Sequence, residues 1–170
     1  MTGVQTCALP IYGAYCIYDY NEENVNVYGL LYNWFAVDDR RKLAPEGWHI
    51  PTDNEWKQLE IYLGMGLEDI DNTGWRGSDE GGKLKEAGEI HWYSPNIGGT
   101  NESGFTALPG GGRNEYGVFG SMGSKAIFWS SSESESYYGW YRILGHYNAE
   151  IWRNKYSKLE GLSVRCVRDD

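Results

Sequence analysis

The sequence predicts an α+β fold: a single domain with two main helices and a mostly antiparallel C-terminal sheet. Three observations point there. A sharp helix start stands at Pro51-Thr52-Asp53-Asn54-Glu55. Short strand-like runs separated by Ser, Gly and Asn turns fill the last quarter. And 23 Gly, 14 Tyr and 8 Trp in 170 residues favour a loop-rich, β-containing fold over a helical bundle.

Size and charge narrow the class further. A chain of 170 residues that is 41% hydrophobic can bury a core as one domain. Its net charge is −9, and no run of Lys or Arg offers the basic face that nucleic acid requires, so no nucleic-acid partner is expected. An anionic membrane surface is disfavoured for the same reason. No apolar stretch approaches the roughly 20 residues needed to span a bilayer, so direct membrane insertion is not expected either. The cysteines are Cys7, Cys16 and Cys166. A Cys16–Cys166 bridge would tie the two ends of the domain together; two buried thiols are the alternative.

In chain order, residues 1–11 fit nothing that follows. They lack a basic n-region, and Ala8-Leu9-Pro10-Ile11 is too short for a signal h-region. The run over residues 4–11 resembles translated sequencing-adapter read-through. It is read as a non-native N-terminal extension, with Cys7 foreign and the natural start lost; a short edge strand is the other reading. The domain then covers residues 12–170. Residues 12–20 are aromatic and β-like, and Asn21-Glu22-Glu23-Asn24 makes a polar turn. Val27, Leu30, Leu31 and Trp34 recur at helical spacing, predicting the first helix with Asn26 as its cap. Residues 38–42 form a charged connection. The second helix, roughly residues 52–63, follows from the backbone bias that Pro51 imposes on Ile50 and from a Thr52/Glu55 capping box. Trp56, Leu59, Tyr62 and Leu63 supply its apolar spacing.

Asp69-Ile70-Asp71-Asn72-Thr73-Gly74, with Glu80 at the twelfth position, has the spacing of a calcium loop. Arg76 at position 8 and Thr73 at position 5 speak against it, so a solvated acidic loop is preferred and no cofactor is assigned. Residues 82–87 make a short helix ended by Gly88. Gly110-Gly111-Gly112 marks a tight turn or a close backbone approach. Four strands are predicted over residues 127–131, 140–144, 150–153 and 162–168. In the last, Leu162, Val164 and Cys166 alternate with Ser163 and Arg165, as in a half-buried strand.

Several separated blocks resemble a known family. They are Tyr28-Gly29-Leu30-Leu31-Tyr32-Asn33-Trp34, Gly47-Trp48-His49-Ile50-Pro51-Thr52, Gly82-Lys83-Leu84-Lys85-Glu86, the Asn101 to Gly111 run, Phe128-Trp129-Ser130-Ser131-Ser132 and Ser163-Val164-Arg165-Cys166-Val167-Arg168. In this order they resemble the Fibrobacter succinogenes major paralogous domain. The resemblance implies a bacterial, exported or lipid-anchored cell-surface protein of unassigned activity. The Gly47 to Trp56 block is also similar to one in the formylglycine-generating-enzyme-like fold, which implies a C-type-lectin-like architecture. Many family members carry a cysteine where this chain has Ala44, so no disulfide is expected at that position.

Chemistry is sparse. His49, His91 and His146 show no metal-ligand spacing, and His49 reads as a packed, hydrogen-bonded residue. No Gly-x-Ser-x-Gly elbow and no distinctive carboxylate pair occurs. The enzyme alternative, a formylglycine-generating type, needs a cysteine pair near the C-terminus, where only Cys166 stands. The domain is therefore read as a non-enzyme, with no catalytic residue assigned.

A binding surface has more support. Residues 129–158 hold five Tyr and three Trp among serines and asparagines, the composition of a paratope and one whose rings suit sugar faces. Trp129 and Trp140 are expected in the core. The expected exposed contacts are Tyr138, Tyr141, Tyr147, Trp152, Asn154 and Tyr156, offered to a glycan or protein partner. A purely structural surface module is the remaining alternative. Resemblance to variable targets of diversity-generating retroelements adds the expectation that residues 130–158 differ most among close genomic copies.

Overall fold

A computed structural model describes residues 13–169. The run read as an extension, Cys7 included, lies outside those residues. The described part opens with β1 (Tyr15–Cys16), followed by a single 3-10 turn and helix α1 (Glu23–Tyr28). Strand β2 (Leu31–Tyr32) then pairs antiparallel with β1, and helix α2 (Trp34–Val37) follows at once. One helix was predicted through Val27 and Trp34; two short ones form instead. Gly29, at φ 75°, ends α1 in a conformation that glycine adopts without steric cost. Tyr32 exchanges both backbone hydrogen bonds with Leu162, at 2.8 and 2.9 Å. Long-range pairing thus outweighs a helical spacing carried by only four residues. The cap of the second piece is Asn33, whose side chain accepts from the Ala36 amide.

Strand β3 (Trp48–His49) leads into α3 (Asp53–Leu63). Both arms of the capping box form: Thr52 Oγ1 accepts the Glu55 amide at 3.2 Å, and Glu55 Oε2 accepts the Thr52 amide at 2.8 Å. Next come β4 (Gly74–Arg76) and α4 (Glu80–Leu84), then the β5 (Gly110–Arg113) and β6 (Phe119–Met122) hairpin. A Cβ on Gly111, itself at φ 63°, would meet the Gly120 carbonyl oxygen at 2.4 Å, so the close approach expected of the glycine run is real. Strands β7 (Lys125–Glu135), β8 (Tyr138–Gly145) and β9 (Ile151–Ser157) join β4 in an antiparallel sheet of order β4-β9-β8-β7. The chain closes with β10 (Val167–Arg168) on β3. The strand predicted over residues 162–168 is only partly formed. Leu162 and Ser163 make isolated bridges, and regular pairing begins at Val167. The result is an α+β domain with four α-helices and mostly antiparallel sheets.

The inner face of the four-stranded sheet packs on α3. Phe128, Leu144 and Ile151 meet Trp56 and Leu63 there, in one apolar cluster with Leu84 and Trp92. Set into it is a buried ionic network. Arg142 donates to Asp53 at 2.8 Å and to Glu60 at 2.6 Å. Arg153 grips both Asp53 oxygens, and Arg76 lies bidentate on Glu60 at 2.9 Å. Burial works to raise the Asp53 carboxyl, but Arg153 and Arg142 outweigh it and hold it well below the usual range. Elsewhere, the buried Lys85 ammonium donates to the carbonyls of Ile97, Gly145 and Asn148 at 2.7 to 2.8 Å, while burial pushes its pKa down to about 8.

Two other expectations meet their geometry here. Cys16 and Cys166 are not bridged to each other; Cys16 is buried and Cys166 half-buried. The segment with calcium-loop spacing is used otherwise. Its centre, Gly74–Arg76, is β4, and Arg76 turns into the ionic network. Glu80 is buried, and its Oε2 accepts the Ser78 and Asp79 amides at 2.7 and 3.1 Å. Among the described residues, no helix is long and apolar enough to cross a membrane.

Candidate functional site

Side chains alternate across a strand, so the residues between those of the inner face turn to the other side. On β4, β9, β8 and β7 these are Trp75, Trp152, Tyr141 and Trp129, one ring per strand. Register makes them neighbours: Trp75 sits opposite Trp152, and Tyr141 opposite Trp129. Trp75 and Trp152 meet edge to face at 5.4 Å, and Trp129 and Tyr141 at 6.4 Å. The ladder is joined across β9 and β8 by the Trp152 indole N–H, which donates to the Tyr141 hydroxyl at 2.9 Å. Tyr156 stacks on Tyr141 at 4.8 Å, and Tyr147 meets the far edge of Trp75 at 5.6 Å.

One end of the ladder is covered and the other is open. Helix α2 and the segment around Leu162 pack over Ile127, Trp129 and Tyr141. Trp75, Trp152 and Tyr156 remain half-exposed, and Tyr147 is 44% exposed.

The six contacts expected from the sequence therefore separate. Tyr141 is 7% exposed and is corrected from a surface contact to a buried support. Burial pushes its phenol up to about 12, against the lowering bond from Trp152. Trp152, Tyr156 and Tyr147 join the ladder. Asn154 is half-buried opposite Tyr141, and its Oδ1 accepts the Lys155 amide. Tyr138 is 40% exposed but belongs to the opposite set of alternate positions, beneath the Lys155 ammonium. Of the two expected core rings, Trp129 is fully buried, whereas Trp140 is half-buried with the Arg153 guanidinium 3.8 Å above it.

Beyond Tyr156 the ladder runs into a cleft of about 230 Å³ beneath the β5–β6 hairpin. Arg113, Asn114, Phe119, Ile127, Tyr156 and Glu160 are among its walls. Arg113 and Gly161 exchange backbone hydrogen bonds at 2.9 and 2.7 Å, which brings the Arg113 and Glu160 side chains to one place. Glu160 is 5% exposed; burial pushes its carboxyl up to about 7, with the Glu115 amide pulling down and the Glu115 charge adding to the rise. Tyr156 is raised as well, by burial and by the charges of Glu160 and Glu115.

Sequence reasoning missed Trp75, Arg113 and Glu160. The Gly74-Trp75-Arg76 run lies inside the acidic, glycine-rich segment, where an apolar residue flanked by turn signals was the only trace of a strand. Nothing local distinguishes Arg113 or Glu160, because bridge formation alone unites them.

His49 lies between two carboxylates, Nδ1 on Asp169 and Nε2 on Glu55, each at 2.6 Å. Asp169 first and Glu55 second raise its pKa, which favours the cationic ring, the form that can donate from both nitrogens. Burial pushes the Cys166 thiol up, opposite to what an activated nucleophile needs. Among the described residues, no group of three His, Cys, Asp or Glu side chains is arranged to hold a metal ion.

Comparison with known proteins finds no curated protein and no solved structure that matches the chain. The Fibrobacter succinogenes major domain matches over residues 3–168, nearly the whole length. On that match, the chain belongs to the Fibrobacter succinogenes major domain family.

Proposed function

We propose that this domain is a ligand-binding module whose aromatic sheet face engages a glycan or a protein outside a bacterial cell. The observation that carries the reading is the ladder Trp75–Trp152–Tyr141–Tyr156. Its rings are fixed by direct strand pairing, an indole-to-phenol hydrogen bond and stacking, yet three of the four keep part of their surface open. Rigid aromatic rings give contact area at small entropic cost, and their faces suit the C–H surface of a sugar ring. The buried Tyr141 has the role of a support that holds its neighbours in place.

The fold is read as C-type-lectin-like. A capped helix packed on an antiparallel sheet, with the chain's late strand β10 returning to β3, supports that reading. No enzymatic activity is assigned. Export or lipid anchoring belongs to the same proposal and rests on the family resemblance.

The test is a glycan array probed with the wild-type chain and with Trp152→Ala and Trp75→Ala. Loss of one of these anchors should weaken binding by roughly 30-fold, about the 2 kcal/mol of a hot-spot ring. Binding that both variants retain in full would overturn the reading.

A further inference from the structure

We propose that the cleft bounded by Arg113, Tyr156 and Glu160 is a pocket for one polyhydroxylated ring, a single hexopyranose unit. The proposal deepens the binding reading, resting on it only through Tyr156, which belongs to both the ladder and the cleft.

The cleft is a built site. Its floor is apolar, from Ile127 and Leu162, and Tyr156 and Phe119 add rings to its walls. Tyr156 is backed by Tyr141 in a stacked pair, and Phe119 by the Arg113 guanidinium at 5.6 Å. Two charged side chains share the space without pairing. The Arg113 Nε–H is enclosed and has no acceptor, and no ion pair joins it to Glu160 among the described residues. That Nε–H is sealed from solvent, as Arg76 Nε is in the inner network, so what Arg113 offers a ligand is its charge and its terminal N–H groups.

The chemistry of the walls selects the ligand. Arg113 offers only donors, while Glu160 offers an acceptor when ionised and a donor when protonated. A hydroxyl group satisfies both, and two hydroxyls on one ring can serve both residues together. A ring with axial and equatorial C–H bonds also presents an apolar face to Tyr156. A carboxylate ligand would suit Arg113 but would stand against Glu160 and the nearby Glu115 charge. The volume, about 230 Å³, lies below the about 300–1,000 Å³ typical of drug-sized sites, which fits a single ring rather than an oligosaccharide. Its place at the end of the ladder is where the terminal unit of a longer glycan lying across Trp152 would arrive.

The experiment titrates the whole chain with methyl hexopyranosides, and separately with free amino acids, following amide resonances by NMR. A hexopyranoside should shift residues 112–121 and 156–162 at millimolar concentration. Glu160→Gln and Arg113→Met should each weaken that binding by tenfold or more, while Tyr62→Ala, at an exposed position on α3 outside the cleft and the ladder, leaves it unchanged. Should either cleft variant fail to fold, the wild-type shift map still decides. No hexopyranoside binding, shifts confined to other residues, or amino acids binding in place of sugars would each overturn the proposal. Failure of the ladder reading looks different: monosaccharide binding in the cleft would persist while the array showed no dependence on Trp75 or Trp152.

Discussion

The two faces of the central sheet spend their polar and aromatic groups in opposite ways. On the inner face, every carboxylate oxygen of Asp53 and Glu60 meets a guanidinium, and Trp56 and Phe128 pack at a tilt in a closed core. On the outer face, the ladder ends in half-open rings, and enclosed donors without an acceptor occur on both sides, Arg76 Nε and Trp56 Nε1 in the inner core and Arg113 Nε beside the cleft. A group satisfied inside the fold has nothing left to offer a ligand. On the proposed reading, the same four strands bury core on both sides and leave only the Trp75, Trp152 and Tyr156 part of the outer face for recognition.

The most severe way to break this contrast is to open the inner network. Asp53→Ala removes both carboxylate bonds of Arg153, leaving it the Asp71 carbonyl, and one partner of Arg142, both buried. Removing one partner of a buried pair costs roughly 3–5 kcal/mol. Thermal unfolding should move down by about 6 to 20 °C, at roughly 2–4 °C per kcal/mol for a domain of this size. The native carboxyl is depressed, so its contribution is fully present above the unfolded pKa of 3.8 and is lost as pH falls through the folded value. Wild-type protein should accordingly lose stability on acidification, and the mutant should show a shallower acid limb. A mutant as stable as the wild type would show that the network does not hold the inner face.

Trp152→Ala probes the outer face. It removes the donor to the Tyr141 hydroxyl and the edge contact of Trp75. Because the ring is half-exposed, its removal costs less than the roughly 3–5 kcal/mol of a fully buried Trp. Ligand binding should fall by more than stability does. If unfolding temperature collapses while ligand affinity per folded molecule is unchanged, the ring is core and the contrast fails.

What the sequence disclosed follows the same division. The capping box at Thr52 and Glu55 was legible because both partners lie within four residues, and three of the four late strands announced themselves as short runs bounded by Ser, Gly and Asn turns, whereas the alternation of Leu162, Val164 and Cys166 marked a strand that forms only in part. The first helix was misplaced because Leu31 and Tyr32 answer to Leu162, a partner far along the chain. Tyr141 was misread as exposed because alternation along β8 tells which residues share a face, but not that α2 and the Leu162 segment cover part of it. Trp75 and Glu160 were invisible since their neighbours come from other strands. Local signals fix elements; the site is made by pairing between distant segments.

A smaller effect is expected from Thr52→Ala, which removes the side-chain acceptor for the Glu55 amide at the start of the inner-face helix. An N-cap loss costs about 1 kcal/mol, or a few degrees in melting temperature. Sugar binding on the outer face should be unaffected. A change in affinity at constant stability would mean the two faces are coupled through α3.

The smallest effect separates the sheet from the clasp at the chain's end. His49 bridges Asp169, next to β10, and Glu55 on α3, and both carboxylates raise its pKa. A raised histidine contributes stability that is fully present below its unfolded pKa of 6.5 and is lost as pH rises through the folded value. The ring is partly exposed, so solvent screening keeps the contribution small. The melting-temperature gap between wild type and His49→Gln should be widest at about pH 5 to 6 and close at alkaline pH. That dependence is opposite in sign to the acid loss from Asp53, so one pH series on both variants assigns the acid limb to the inner face and the alkaline limb to the clasp. A gap that stays constant with pH, or widens as pH rises, would mean the imidazole is not held as a cation between the two carboxylates.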